Sequence, residues 1–450
     1  MTDLQPSWLA LLPAIVAVFM AVLSRRPIES LLAGVIAGLL LLEPGAALEQ
    51  FSYILLAVMM EETIAWVIIV CGLMGSLIAL LMRSGAANAF SEALAARASS
   101  SSSALLYTWL LGLLVFIDDY LNALAVGSSM RKVTDRFSVS REKLAYVVDS
   151  TAAPICVLVP VSTWAVFFAG VLETSQVVEP GEGMAVFISA IPYMLYPWIA
   201  VLLVPLVATG LIPTIGLMKS ADLDAAVGAA KADRGEGLWV EAEHNDRVRT
   251  HHFLLPIIAL LGCSLWYDLD VQLGVIVAVT VTILIYGLQR LMTWGDMFDA
   301  VLDGIKIMVP ALTIVVVAFM FKEVNDRLGL ATYVIDSVTP YMTAMMLPAV
   351  VFLTMALISF ATGSSWGIFA IAIPIVLPLA DSLGVSSSLA IGALISASAF
   401  GSHACFYSDA TVLAAQGSGC GVMEHALTQI PYALIAAILA TIGLTGLAVL

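Results

Sequence analysis

The sequence predicts an all-α polytopic membrane protein made of two inverted-topology repeats, each with a re-entrant helical hairpin and a broken transmembrane helix. Three observations carry this expectation. Hydrophobic residues are 61% of the chain and charged residues 11%, whereas soluble domains carry about 25% charge. Uncharged apolar stretches long enough to span a bilayer recur from Pro6 to Leu450. The chain also superposes on itself at an offset of 246 residues.

Taken in order, hydropathy places spans near 8–24, 28–42 and 51–82, then 104–131, 144–170 and 187–213. A polar segment, 217–252, holds nearly all the soluble charge and reads as a cytoplasmic connector. Spans resume at 253–270, 272–289 and 297–321, followed by 347–380, 387–416 and 431–450. Short basic loops stay cytoplasmic. Arg25 and Arg26 follow the first span, Arg83 and Arg97 the third, and five Lys/Arg crowd 131–143. The loops 43–50 and 172–183 have none. The N-terminus is therefore expected outside, the linker inside, and the inner membrane of a bacterium is the natural home. The net charge of −15 says little about partners beyond lipid, and no basic stripe suggests nucleic acid. Five scattered cysteines lack metal spacing and read as apolar packing residues.

Segment 104–131 has basic flanks at both ends, so it enters and leaves on one face. Two crossings need about 40 residues, and 28 are available. A re-entrant hairpin with FIDDYLN (116–122) at its tip resolves the mismatch. At 1.5 Å per residue that tip lies about 20 Å deep, near the bilayer centre. Irregular backbone and paired aspartates survive there only when buried in protein or facing a water-filled cavity.

The self-superposition sets DRFSVSREKLAYVVDSTA (135–152) on DSLGVSSSLAIGALISAS (381–398), and Asp118-Asp119-Tyr120 on Ser364-Ser365-Trp366. The first copy's loop 131–143 is basic, while its counterpart 377–389 has no Lys or Arg. The second copy is therefore expected upside down, giving repeats 1–216 and 253–450 around the linker 217–252. Inverted repeats with broken helices meeting at the midplane are a secondary-transporter architecture.

Four polar interruptions should converge. They are the hairpin tip with Asp118, Asp119 and Asn122; DSTAAP and PVSTW inside 144–170, with Asp149, Ser150, Thr151, Ser162 and Thr163; the second tip with Thr362, Gly363, Ser364, Ser365 and Trp366; and GSHACFYSDAT inside 387–416, with His403, Ser408, Asp409 and Thr411. Pro154 and Pro160 each remove a backbone donor, so a break between them is expected. Breaks expose helix N-termini, which attract anions, and free carbonyls, which bind cations. Carboxylates and hydroxyls there suit Na⁺, with Asp118, Asp119, Asn122, Ser364 and Asp409 as candidate ligands. A carboxylate that binds either Na⁺ or H⁺, never both, produces exchange by competition. The hydroxyls can equally cap the broken helices, and His403 reads as either a packing histidine or a proton-linked group. Glu61-Glu62 mark either a cavity wall or a loop before a span starting at Thr63.

At FIDDYLNALAVGSSMRKVTDRFSVSREKLAYVVDSTAAPICVLVPVSTW, TGSSWGIFAIAIPI and FGSHACFYSDAT the sequence resembles the NhaC-type sodium/proton antiporter family, over essentially its whole length. The resemblance implies a secondary carrier with paired hairpins, an elevator-type movement of a substrate domain against a scaffold, and a homodimer. The family often has an acidic GDH-type run where this chain has Gly401-Ser402-His403, and here two aromatics, Phe406 and Tyr407, border Ser408-Asp409. Two functions follow. One is exchange of Na⁺ and H⁺ alone. The alternative is Na⁺- or H⁺-coupled movement of a small organic solute such as an amino acid or carboxylate, motivated by Trp164, Trp366, Phe406 and Tyr407 beside the breaks. No enzymatic activity, catalytic residue or cofactor beyond the coupling ions is expected, since the aspartates adjoin in one tip and HExxH zinc spacing is absent.

Overall fold

The computed structural model describes residues 7–449 except 25, 96, 117, 161, 175–177, 180, 228–246, 268–269, 339, 341–342 and 364. Among these residues all regular structure is helical. A single 3₁₀ turn leads into α1 (Leu12–Ser24), followed by α2 (Pro27–Leu42), α3 (Ala47–Met59), α4 (Glu62–Arg83) and α5 (Ala86–Ala95). The first hairpin is α6 (Ser101–Leu114) and α7 (Asp119–Arg136). The interrupted span follows as α8 (Arg141–Ser150), α9 (Ala153–Leu158) and α10 (Thr163–Thr174). Then come α11 (Gly183–Ala190), α12 (Leu195–Ala208) and α13 (Leu217–Ala226).

Beyond the linker run α14 (Thr250–Trp266), α15 (Val271–Leu288), α16 (Trp294–Arg327) and α17 (Leu330–Val338). The second hairpin is α18 (Leu347–Thr362) and α19 (Trp366–Ser382). The chain ends with α20 (Ser387–Ala404), α21 (Asp409–Ser418) and α22 (Val422–Leu447). Four of the described helices, α4, α15, α16 and α22, are long and apolar enough to cross a bilayer alone. Three bent pairs reach that length together: α8–α9 with α10 at 43°, α11 with α12 at 52°, and α20 with α21 at 42°. The chain is a multi-pass membrane protein.

The breaks have local causes. At the first tip Asp118 caps α7, its Oδ1 accepting from the Leu121 N–H at 3.0 Å; such a cap satisfies a donor that the first helical turn leaves free. Pro154 enters the first turn of α9, where a residue without an N–H is tolerated. After Pro160, Ser162 Oγ donates to Cys156 O at 2.6 Å and accepts from the Ala165 N–H at 3.1 Å, restarting the helix as α10. The expected break between the two prolines is thus two breaks flanking a short helix. Ser408 does the same for α21, donating to Ser402 O at 2.5 Å and accepting from the Thr411 N–H at 3.3 Å. Gly363 ends α18 in the left-handed region (φ 69°), and a Cβ there would meet the Tyr407 ring at 2.9 Å. Only glycine satisfies both demands without strain.

Several sequence expectations are revised. The long span 51–82 divides at Met60–Glu61, because the Glu61-Glu62 carboxylates favour the start of a helix, α4, over the middle of one. The last span begins at Val422 and runs through Pro431 instead of starting there. The third span of the second half continues past residue 321 to Arg327. The linker's first part is docked, not solvated throughout: on α13, Met218 is fully buried and Asp222 accepts from Lys143 Nζ and Ser140 Oγ, each at 2.8 Å. Arg131, expected as a cytoplasmic topology signal, is buried, and its guanidinium donates to the Gly417 carbonyl at 2.7 Å and to that of Gln416. It therefore caps the C-terminus of α21, where cations are favoured. One turn earlier α7 and α21 touch through glycines: a Cβ on Gly127 would fall 2.7 Å from the Gly417 carbonyl carbon. Small residues at such crossings let backbones approach inside a bilayer.

Candidate functional site

A cavity of ≈ 480 Å³ lies where the two halves meet. One wall comes from the break before α4 and from α4 itself (Glu61, Trp66, Val67), with Val315, Ala318, Phe319 and Lys322 of α16. The other wall is made of breaks: Asp118, Asp119 and Tyr120 from the first tip, Thr163, Phe167 and Val171 from α10, Gly363 and Ser365 from the second tip, and Asp409 from the α20–α21 break. Glu61 is exposed and Lys322 half-buried, whereas Asp118 and Asp119 are 2% and 1% exposed. The cavity thus grades from charged residues at its rim to carboxylates at its floor.

The floor is tied across the sequence. Thr163 Oγ1 donates to Asp118 Oδ2 at 3.0 Å, leaving Oδ1 to the α7 cap. Tyr120 donates its phenol to Asp409 Oδ2, and Asp409 Oδ1 accepts from the Ala410 N–H at 2.9 Å. Asp119 is approached by the indole of the fully buried Trp164. Ser365 Oγ is buried without a hydrogen-bond partner among the described residues. Three carboxylates converging where two are buried and Asp409 is half-buried repel one another, so a cation or protons would balance them. Among the described residues no cluster of three or more His, Cys, Asp or Glu has the geometry of a resident metal centre. Hard oxygen donors in this number suit a transiently bound alkali cation or a proton.

The remaining candidates stand behind this floor. The Asn122 amide reaches Gly112 O and Val115 O at 2.8 Å and Thr151 O at 2.7 Å, clamping the first tip to the α8–α9 break. Its Oδ1 has no partner. Thr151 and Thr362 turn their hydroxyls onto backbone carbonyls of their own helices, Val147 O at 2.9 Å and Ile358 O at 2.8 Å. Ser162 and Ser408 serve as caps. Asp149, Ser150, His403 and Thr411 form a second buried polar cluster, completed by His425, Gln429 and Tyr196. Ser364 and the side chain of Trp366 lie outside the described residues. Phe406 and Tyr407 turn away from the cavity, against Phe360 and Phe321, and Tyr407 donates to Ala361 O at 2.7 Å. The aromatic surface at the cavity is instead Trp66, Tyr120, Phe167 and Phe319.

Residues 155–448 match the Na⁺/H⁺ antiporter family. The chain belongs to this family. Its members are transporters. The chain is 28% identical over 480 residues to an uncharacterised protein of Haemophilus influenzae, covering 98% of this chain and 91% of that one. It is 29% identical over 195 residues to the malate-2H⁺/Na⁺-lactate antiporter of Bacillus subtilis, covering 41% and 40% of the two chains. Among solved structures it resembles MtrF of Neisseria gonorrhoeae, described within a class of antimetabolite efflux pumps, with 12% identity and a TM-score of 0.33 over 85% of this chain and 80% of that one.

Sequence reading missed five residues of the cavity and of the polar cluster behind it. Trp66 and Tyr120 were hidden inside uniformly apolar or motif-rich runs. Lys322 stands one residue beyond the expected span end, so it read as a flanking charge. His425 and Gln429 precede the span expected from residue 431, although their spacing of four places them on one helix face, a signal that could have found them.

Proposed function

We propose that this antiporter-family protein performs cation-coupled exchange, binding Na⁺ or H⁺ at Asp118, Asp119 and Asp409. The convergence of three carboxylates, Asp118 and Asp119 buried and Asp409 half-buried, from helix breaks of both chain halves, on one cavity carries the reading. A cation enters past Glu61, loses water, and is ligated by carboxylate oxygens with Thr163 and Ser365 at hand. Protonation of the same carboxylates displaces it, and competition couples the two ions.

Alternating access follows the elevator scheme in this reading. The hairpins and broken helices carry the site, and α4 with α16 act as the fixed wall. Support comes from element order: α6–α7 and α8–α10 recur as α18–α19 and α20–α21, α1–α2 as α14–α15, and α4 as α16. With the charge asymmetry of the loops, this order favours inverted repeats 1–216 and 253–450 joined by the linker 217–252; a homodimer in a bacterial inner membrane is what the family resemblance implies.

A second reading is favoured by Lys322, which accompanies four aromatic rings at a cavity larger than a dehydrated ion needs. Lys322 Nζ pairs with Asp326 at 2.8 Å and keeps donors for a solute carboxylate. The relative from Bacillus subtilis is named as a carrier of malate and lactate with H⁺ and Na⁺, so a small organic acid is the solute class to test. Purified protein in vesicles holding a pH-sensitive dye distinguishes the readings. Proton flux driven by a Na⁺ gradient without organic solute supports simple exchange. Flux only with a carboxylic acid present supports the second reading, and no flux under either condition overturns both.

A further inference from the structure

We propose that Asp149 and His425 form a second proton-binding site beside the cavity carboxylates, so that coupling draws on linkage between two places as well as on competition at one. The inference rests on reading the chain as a cation-coupled carrier.

Asp149 (α8) and His425 (α22) are both fully buried, with His425 Nε2 3.0 Å from Asp149 Oδ2. The same oxygen accepts from Gln429 Nε2 at 2.7 Å and Thr411 Oγ1 at 3.3 Å. Gln429 Nε2 also donates to the His403 carbonyl, fixing the amide's orientation. Meanwhile Asp149 Oδ1, His425 Nδ1 and Gln429 Oε1 have no hydrogen-bond partner among the described residues. Buried polar atoms are nearly always satisfied, and unpaired ones call for an explanation. Here each member of the pair keeps one face for the shared bond and one free face, the arrangement needed to take and release a proton.

Charge balance gives the reason. An ionised Asp149 beside a neutral imidazole leaves a net negative charge in the interior, which is costly. One added proton, on either partner, makes the pair neutral without moving a heavy atom. Removal of that proton restores the charge, so the pair cycles between two states and needs no other ligand.

The pair is linked to the cavity. Thr411 Oγ1 lies 2.9 Å from Ser408 Oγ, the cap of the helix that begins with Asp409, and Asp409 and Asp149 repel one another. A cation at Asp409 therefore favours proton loss from the pair, and a proton on the pair lowers the field that holds the cation. The coupling is reciprocal, as linkage requires.

Other charges fit this account. His403 on α20 faces the pair and is held by Ser150 Oγ at 2.9 Å and Tyr196 Oη of α12 at 2.6 Å. The ion pair of Lys143 with Asp222 of α13 sits at the opposite end of α8, and Arg131 of α7 at the opposite end of α21. Helices α6 and α9 carry no charged residue.

The test uses the full chain in proteoliposomes and two measurements: radiolabelled Na⁺ uptake driven by an acid interior, and Na⁺/Na⁺ exchange at equal pH. In His425→Gln, and in the near-isosteric Asp149→Asn, the ratio of pH-driven uptake to exchange is expected to fall about ten-fold or more. An unchanged ratio with an unchanged pH profile in both variants overturns the proposal. So does equal loss of both fluxes in protein that still elutes as a single folded species, because the pair would then be structural. If the unaltered chain shows exchange without pH-driven uptake, this inference and proton coupling fail together while the cation site at the cavity stands. If it moves Na⁺ in neither measurement, the cation-coupled reading fails as well.

Discussion

The phenol of Tyr120 donates to the carboxylate of Asp409, residues 289 positions apart in sequence. This contact joins the first hairpin tip to the broken helix of the second half. It also fixes which Asp409 lone pairs remain for a cation.

Tyr120→Phe removes that donor and keeps the ring, which packs 6.0 Å from Trp66. The lost bond is worth on the order of 0.6 kcal/mol inside a membrane protein, so folding should survive. Na⁺-dependent flux is expected to drop about ten-fold, since small misplacements of a ligating group are costly. Flux measured in proteoliposomes beside thermal denaturation checks this, and unchanged flux would remove the tyrosine from the site.

Asp118→Asn and Asp119→Asn separate charge from architecture. Asparagine caps helices about as well as aspartate, so α7 should still start in place and the Asp118→Asn protein should melt near the unaltered one. Stabilisation of the unaltered chain by Na⁺, read as a rise in melting temperature, should be lost in both variants along with coupled flux. Full transport by both would remove the hairpin tip from the mechanism.

Gly127→Leu places a side chain where the Gly417 backbone already sits. Overpacking of this kind costs about 1–3 kcal/mol. Lower melting temperature and lower yield are expected, with any residual protein still responding to Na⁺.

Arg131→Leu strips the α21 C-terminus of the guanidinium that meets Gln416 and Gly417. Hydrogen bonds to a charged group are worth about 1.5–3 kcal/mol, and a loss of that size should appear in denaturation. The apparent Na⁺ affinity of the folded fraction should stay within about two-fold, because Arg131 acts at the far end of the helix from Asp409.

Lys322→Gln tests the organic-acid reading. Loss of one ammonium–carboxylate contact should raise the apparent Michaelis constant for an anionic solute about ten-fold, while Na⁺-induced stabilisation persists. A solute-dependent flux indifferent to this change would assign the carboxylate to helix N-termini instead.

The break between α6 and α7 was legible because 28 residues with basic flanks are too few for two crossings, and the same arithmetic put Asp118-Asp119 at that break. Asp409 was legible as a carboxylate within an apolar span. Lys322 and the Asp149–His425 pair were not, for a common reason. Hydropathy locates where a helix crosses, but α16 and α22 extend past their apolar segments, and polar residues on those extensions look like loop. Which aromatics face the cavity was equally hidden, since rotation about a helix axis is set by packing. Tyr407 and Phe406 adjoin Asp409 in sequence yet point elsewhere.

Asn122 holds carbonyls of α6, the first tip and the α8–α9 break with one amide group. Those segments cannot slide past each other without surrendering three acceptors in a medium that offers no replacement. The facing wall of α4 and α16 presents Trp66, Val67, Val315, Ala318 and Phe319 to the cavity, a mostly apolar surface. In the elevator reading proposed above, sliding runs along that wall, so a crosslink bridging Val67 to Thr163 is expected to block flux where one within the clamp leaves it unchanged.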